Sequence, residues 1–155
     1  MHIPRKDWLR ALTAHPAAAL AELSGRLSAG WALSYLALPQ AGLGLLKLRD
    51  GAFHEPYYLG EFPIACCRVR VQLPGDVAVE GAAQVMADDP ALAQALAVLD
   101  AILAARLPGW QEVAAWIGDG VSKRAEEDRR RRAMLAGTRV DFALLGATEE
   151  DEDEN

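Results

Sequence analysis

The chain has 155 residues, 52 % of them hydrophobic, which suits one folded body with a real core and excludes a disordered chain. Its formal net charge of −6 sits in the run EEDEDE at 149–154, so the rest is near neutral and neither a nucleic-acid nor a membrane partner is expected. No apolar run approaches the roughly 20 residues of a bilayer span, the opening MHIPRKDW lacks a signal peptide's apolar stretch, and two cysteines make no disulfide scaffold; these point to a cytoplasmic protein.

In chain order, residues 5–27 read as two short helices. Trp8, Leu9 and Leu12 mark the first, His15-Pro16 breaks it, and Pro16 suits the first turn of the second, where Leu20, Leu23 and Leu27 form one stripe. After Gly30 the period changes to two, and Trp31, Leu33, Tyr35 and Ala37 line one face of a strand. Pro39-Gln40-Ala41-Gly42 reads as a turn, 43–49 as a second strand, and Asp50-Gly51 as the next turn. Strand pattern resumes at 57–59 and 63–73, where Tyr57 and Tyr58 take opposite faces, one for the core. Pro74-Gly75 closes this run and a shorter strand follows at 77–85. Such short connections make the sheet an antiparallel meander.

Helix then returns. Asp89 suits an N-cap, Pro90 the first helical position, and Leu92, Leu96, Leu99 and Leu103 form a stripe that ends at Leu107-Pro108-Gly109. A second long helix is predicted over 110–135, interrupted at Gly118-Asp119-Gly120. TRVDFALL, 138–145, alternates like a final edge strand. The fold class is α+β: an antiparallel β-meander flanked by N-terminal helices and two longer C-terminal helices. One domain is expected over 1–146, with a disordered acidic tail over 147–155.

Chemistry is harder to find. The chain has neither a G-x-x-x-x-G-K-[ST] nor a G-x-G-x-x-G loop. His2, His15 and His54 are scattered, no metal-ligand spacing occurs, and no serine sits in a nucleophile elbow. No catalytic residue, metal or cofactor is expected. Cys66 and Cys67 are adjacent on a strand, so their thiols point to opposite faces, Cys67 with Val69 and Val71, Cys66 with Arg68 and Arg70. The four arginines 129–132 cover nearly every direction around a helix, so at least one should lean towards the body or a partner. They read either as a solvated face paired with Glu126 and Glu127, or as a clamp for a phosphate or an acidic surface.

Four stretches in order resemble the PhnG family, the G subunit of the bacterial carbon–phosphorus lyase system: DWLRALTAHPAAALAELSGRL, AGLGLLKLRDGAFHEPYYLGE, ALAVLDAILA and GTRVDFALL. The Leu59-Gly60-Glu61 and Arg139-Val140-Asp141-Phe142 segments carry the most specific part. The resemblance implies an accessory subunit without a complete active site of its own, assembling with the I subunit first and also with H and J. In that family an early step displaces adenine from ATP with a phosphonate, giving a ribose 1-phosphonate 5-triphosphate. Arg49, Glu61, Arg68, Arg70, Arg129, Arg132, Arg139 and Asp141 are the candidate partner or phosphate contacts. Where the family pattern has charges, this chain has Ala37, Gln40 and Cys66, and Ala87-Asp88-Asp89 stands for Gly-Arg-Asp. The alternative is a free-standing binding or adaptor module that keeps the fold. A lone chain has edge strands through which two copies can pair.

Overall fold

The computed structural model describes residues 3–75 and 77–137. A single 3₁₀ turn, Arg5–Asp7, leads into α1 (Trp8–Leu12) and α2 (Ala17–Leu27). Then come β1 (Ala32–Arg49), β2 (Pro56–Leu73) and β3 (Val77–Val85), and finally α3 (Pro90–Ala104) and α4 (Trp110–Gly137). The sheet is antiparallel with order β1-β2-β3, so the architecture is the expected α+β meander. The expected strand over 138–145 and the tail over 147–155 lie outside the described residues. No described helix is long and apolar enough to cross a membrane.

The core lies between one face of the sheet and α3. Val69, Val71 and Cys67 point down from β2, and Leu96, Leu99 and Ile102 rise from α3 to meet them. Leu12, Leu20 and Leu23 close one side, and Val113 and Ile117 of α4 another. Alanines at 93, 97 and 101 keep α3 thin, and β3 lies very close to it. A Cβ placed on Gly81 would stand 2.0 Å from the Ala97 carbonyl oxygen, so only glycine fits where strand and helix meet. Asp89 caps α3 by accepting from the Leu92 N–H at 2.9 Å, with Pro90 behind it as expected.

Several expectations need correction. Pro39–Gly42 is no turn: β1 runs through it as one 18-residue strand. The register instead shifts between Tyr35 and Ala37 and again between Ala37 and Gln40, so the proline sits at a bulge where its missing N–H is not needed in the ladder. Tyr57 and Tyr58 are both exposed, because β2 has left the body by that point, and neither enters the core. Pro16 is the N-cap of α2, one position before the helix. α4 is continuous through Gly118-Asp119-Gly120. Gly120 is there for contact: a Cβ on it would meet the Ala11 carbonyl oxygen at 2.1 Å, so α1 crosses α4 at that point.

Candidate interaction surface

Beyond the bulge, β1 and β2 leave the body as a two-stranded arm. None of residues 38–64 is buried. Its tip is well built. The Asp50 carboxylate accepts from the Ala52 and Phe53 N–H groups at 2.9 and 3.1 Å, and the Asp50 N–H donates to the Glu55 carbonyl at 2.9 Å. Those backbone donors hold the Asp50 carboxyl below the usual carboxylate range. His54 takes φ 57° in the same turn, a left-handed conformation that a six-residue connection can impose.

Register and pleat fix the two faces of the arm. Leu43 lies opposite Pro63, and Leu45 opposite Glu61, on the face continuous with the core side of the sheet. Lys47 opposite Tyr58 follows on that face, with the Lys47 ammonium 6.0 Å from the ring centre. Gly42 opposite Ile64, Gly44 opposite Phe62 and Leu48 opposite Tyr57 form the other face. The absence of a side chain at Gly44 lets the Phe62 ring lie over β1, its Cζ 2.7 Å from where a Cβ would stand. The first face has no such cover, and Leu43 and Leu45 are 69 % and 60 % exposed. Tyr58 and Leu59 are equally open, and Phe53 at the tip is 80 % exposed. Exposed apolar residues in this number make the arm a candidate contact site.

At the root of the arm, the outer sheet face is polar. Arg70 donates to Glu80 at 2.7 Å, and Arg68 stands 3.7 Å from the same carboxylate. A hollow of about 350 Å³ opens beside them, bordered by Ala37, Cys66, Arg68 and Gln84. Gln40 lies opposite Cys66 and donates to its Sγ at 3.5 Å. Ala37, Gln40 and Cys66, the three positions where the resemblance leads one to expect charge, therefore meet at one bulge. Cys67 points the other way and is buried; burial first, and the neighbouring Cys66 second, push its thiol up. Both thiols are free.

The remaining candidates fall on separate elements. Arg49 and Glu61 sit exposed on the arm. Arg129 and Arg132 sit on the end of α4, where every residue from 129 to 137 is exposed. Among the described residues none of the four arginines leans on the body, because they lie past the Arg10–Asp128 pair at 3.4 Å, which leaves the partner half of the expectation. The arginine that reaches the body is Arg124, which donates to the Thr13 carbonyl at 2.9 Å. Arg129 and Arg130 both pair with Glu126, and Arg131 stands 3.9 Å from Glu127. Arg132 makes no ion pair among the described residues. Arg139 and Asp141 lie outside them.

The described residues hold no group of three or more His, Cys, Asp or Glu side chains placed to bind a metal. What the surface offers is an apolar arm, a polar root with two arginines, and a projecting basic helix end. The family model described as "Phosphonate metabolism protein PhnG" matches residues 3–146. The chain belongs to the PhnG family. It is thus a phosphonate-metabolism subunit, and the match covers all the described elements. No curated protein matches it.

Two features escaped the sequence reading. The arm was hidden by Pro39, which reads as a turn residue in isolation. The signal for it was the symmetry of two 18-residue apolar stretches about 50–55, with leucines on both faces of β1. Asp100 was hidden inside an apolar helix, and its isolation there was the only mark of a buried partner.

Proposed function

We propose that this chain is an accessory subunit of the carbon–phosphorus lyase core complex. In that role it supports the I subunit in forming ribose 1-phosphonate 5-triphosphate from ATP and a phosphonate. In that step the ribose C1–N bond to adenine breaks, and a phosphonate oxygen bonds to C1. The observation that carries the reading is the family match along residues 3–146, joined to an arm whose leucines and aromatics stand in water. A chain with this surface is suited to holding partners, and the candidate arginines among the described residues are spread over β1, β2 and α4. Arg68 and Arg70 at the arm's root are the residues best placed to meet an anionic group beside a docked partner.

The test is co-expression with the H, I and J subunits. The chain is expected to co-purify with them, and the I subunit is expected to release adenine from ATP in the presence of a phosphonate only when this chain is there. Failure to enter the complex, or adenine release by the I subunit at full rate without it, would overturn the role. Full activity of this chain alone would replace it with a catalytic one.

A further inference from the structure

We infer that the outer edge of β1 pairs with the same edge of a second copy, antiparallel and centred on Gly44. The inference does not rest on the phosphonate role. β1 is the first strand of the sheet, and nothing among the described residues pairs with its far side. An exposed ladder this long and apolar must be covered or blunted. The opposite edge is shorter and partly occupied: β3 has nine residues to the eighteen of β1, and its Ala82 N–H donates to the buried Asp100 carboxylate at 3.0 Å.

The occupant follows from the sequence of the edge itself. A two-fold axis makes residue i face residue j with a constant sum, so each choice of centre fixes every pair. With Gly44 at the centre, Leu43 faces Leu45 of the other copy, and the reverse pair repeats it. The four leucines that the structure leaves most open on this face then form one cluster. On the other face, Leu46 meets Gly42, a large residue against a small one. Lys47 faces Ala41, and Arg49 faces Pro39, so no like charges stand opposite each other. The ladder spans residues 40–48 of each copy and stops where Pro39 has no N–H to give. Shifting the centre to Leu45 would set Lys47 against Leu43, and shifting it to Leu43 would leave each Leu45 facing an alanine.

The bodies do not collide in this arrangement. Each body joins its arm at about Ala37, and antiparallel pairing puts the two bodies at opposite ends. The tip of each arm, with Asp50 and Glu55, comes alongside the root of the other, which carries Arg68 and Arg70. With Arg49 counted at the tip and Glu80 at the root, one net negative charge at the tip still meets one net positive charge at the root.

Sedimentation of the purified full chain at tens of micromolar tests this. Twice the chain mass of 16.7 kDa is expected. Leu43→Lys with Leu45→Lys sets lysines opposite lysines and is expected to weaken the dimer at least tenfold. Leu43→Glu with Leu45→Lys sets each lysine opposite a glutamate of the other copy and beside Glu61 of its own chain, and is expected to restore it. Neither position contributes to the core, so both variants should keep the wild-type far-ultraviolet circular dichroism. A monomeric wild-type chain overturns the inference, whether residues 138–146 or another subunit covers the edge. A dimer indifferent to the double lysine overturns it too, and a folded Lys/Glu variant that stays monomeric overturns the Gly44 register.

Discussion

Arg5 grips Asp100 with two hydrogen bonds, Nε to Oδ1 at 2.9 Å and Nη2 to Oδ2 at 2.6 Å. Asp100 is 3 % exposed in the middle of α3, whereas the Arg5 side chain is more than half exposed, so a solvated guanidinium reaches in to a buried carboxylate. The same carboxylate takes the Ala82 N–H, which ties the N-terminal turn, the central helix and the edge strand at one point. Asp100→Ala leaves that N–H and the guanidinium without their acceptor and should cost about 2–3 kcal/mol. Arg5→Ala leaves a buried carboxylate with one donor and should cost a similar amount. Urea denaturation of both single variants and the double variant checks it. A double variant as costly as the sum of the singles would mean that the two side chains do not act together.

Two glycines in α4 predict opposite outcomes from the same substitution. A Cβ placed on Gly118 would have nothing within 4 Å, so Gly118→Ala should stabilise the helix by about 0.5–1 kcal/mol. Gly120 faces the Ala11 backbone, with carbonyl oxygen and carbon at 2.1 and 2.7 Å from a Cβ placed there, so Gly120→Ala must push α1 away and should cost about 3 kcal/mol. Thermal denaturation of the two variants separates close packing from helix propensity, and equal effects would refute the contact.

The two thiols should differ in reactivity by face. Both cysteines border the hollow at the bulge, but Cys67 is buried beneath the sheet, where burial pushes its thiol up, while Cys66 is only half-buried. At neutral pH an alkylating reagent should modify one cysteine per folded chain, at position 66, and both after unfolding. Peptide mapping reads the site, and modification of Cys67 in the folded chain would contradict the alternation of β2.

Much of the fold was legible because local signals and tertiary contacts agreed. The Asp89-Pro90 start of α3, its leucine stripe and the opposite faces of Cys66 and Cys67 all follow from period and capping chemistry. The errors share a physical cause. Pro39 and Gly120 carry strong local meanings, turn and helix break, and each was overridden by a long-range relation: pairing with β2 at a bulge, and the crossing of α1. The arm was less legible still, since alternation normally signals a half-buried strand, and here both faces are left to solvent. Arg68 and Arg70 were placed correctly on the face away from Cys67, but their common partner Glu80 depends on the register of β3.

The arginines at the end of α4 should matter to assembly through charge. Arg131 and Arg132 are the least engaged, since Glu126 is already shared by Arg129 and Arg130. Changing all four to glutamine should weaken binding to the partner subunits while leaving urea stability nearly unchanged, and raised salt should reproduce the loss in the wild-type chain. Assembly insensitive to both would leave the run as a solvated face.

Acid should release the projecting end of α4 before it touches the core. Hydrogen bonds from Arg129 first, and Arg130 next, hold the Glu126 carboxyl below the ordinary glutamate range. One turn and more upstream, Lys123 does the same for Asp119. A carboxyl depressed in the folded state contributes stability that is fully present above its unfolded value, about 4 for these groups, and lost as pH falls through the folded value. The loss therefore belongs below about pH 4, and neutral pH lies on the stable side. Helicity followed between about pH 5 and pH 2 should fall in a first step assigned to this segment, ahead of global unfolding. Glu126→Gln should make that step smaller and lower the helicity already at pH 7, because its two arginines lose their acceptor. If the variant and the wild-type chain titrate identically, the Glu126 pairs do not support the helix end in solution.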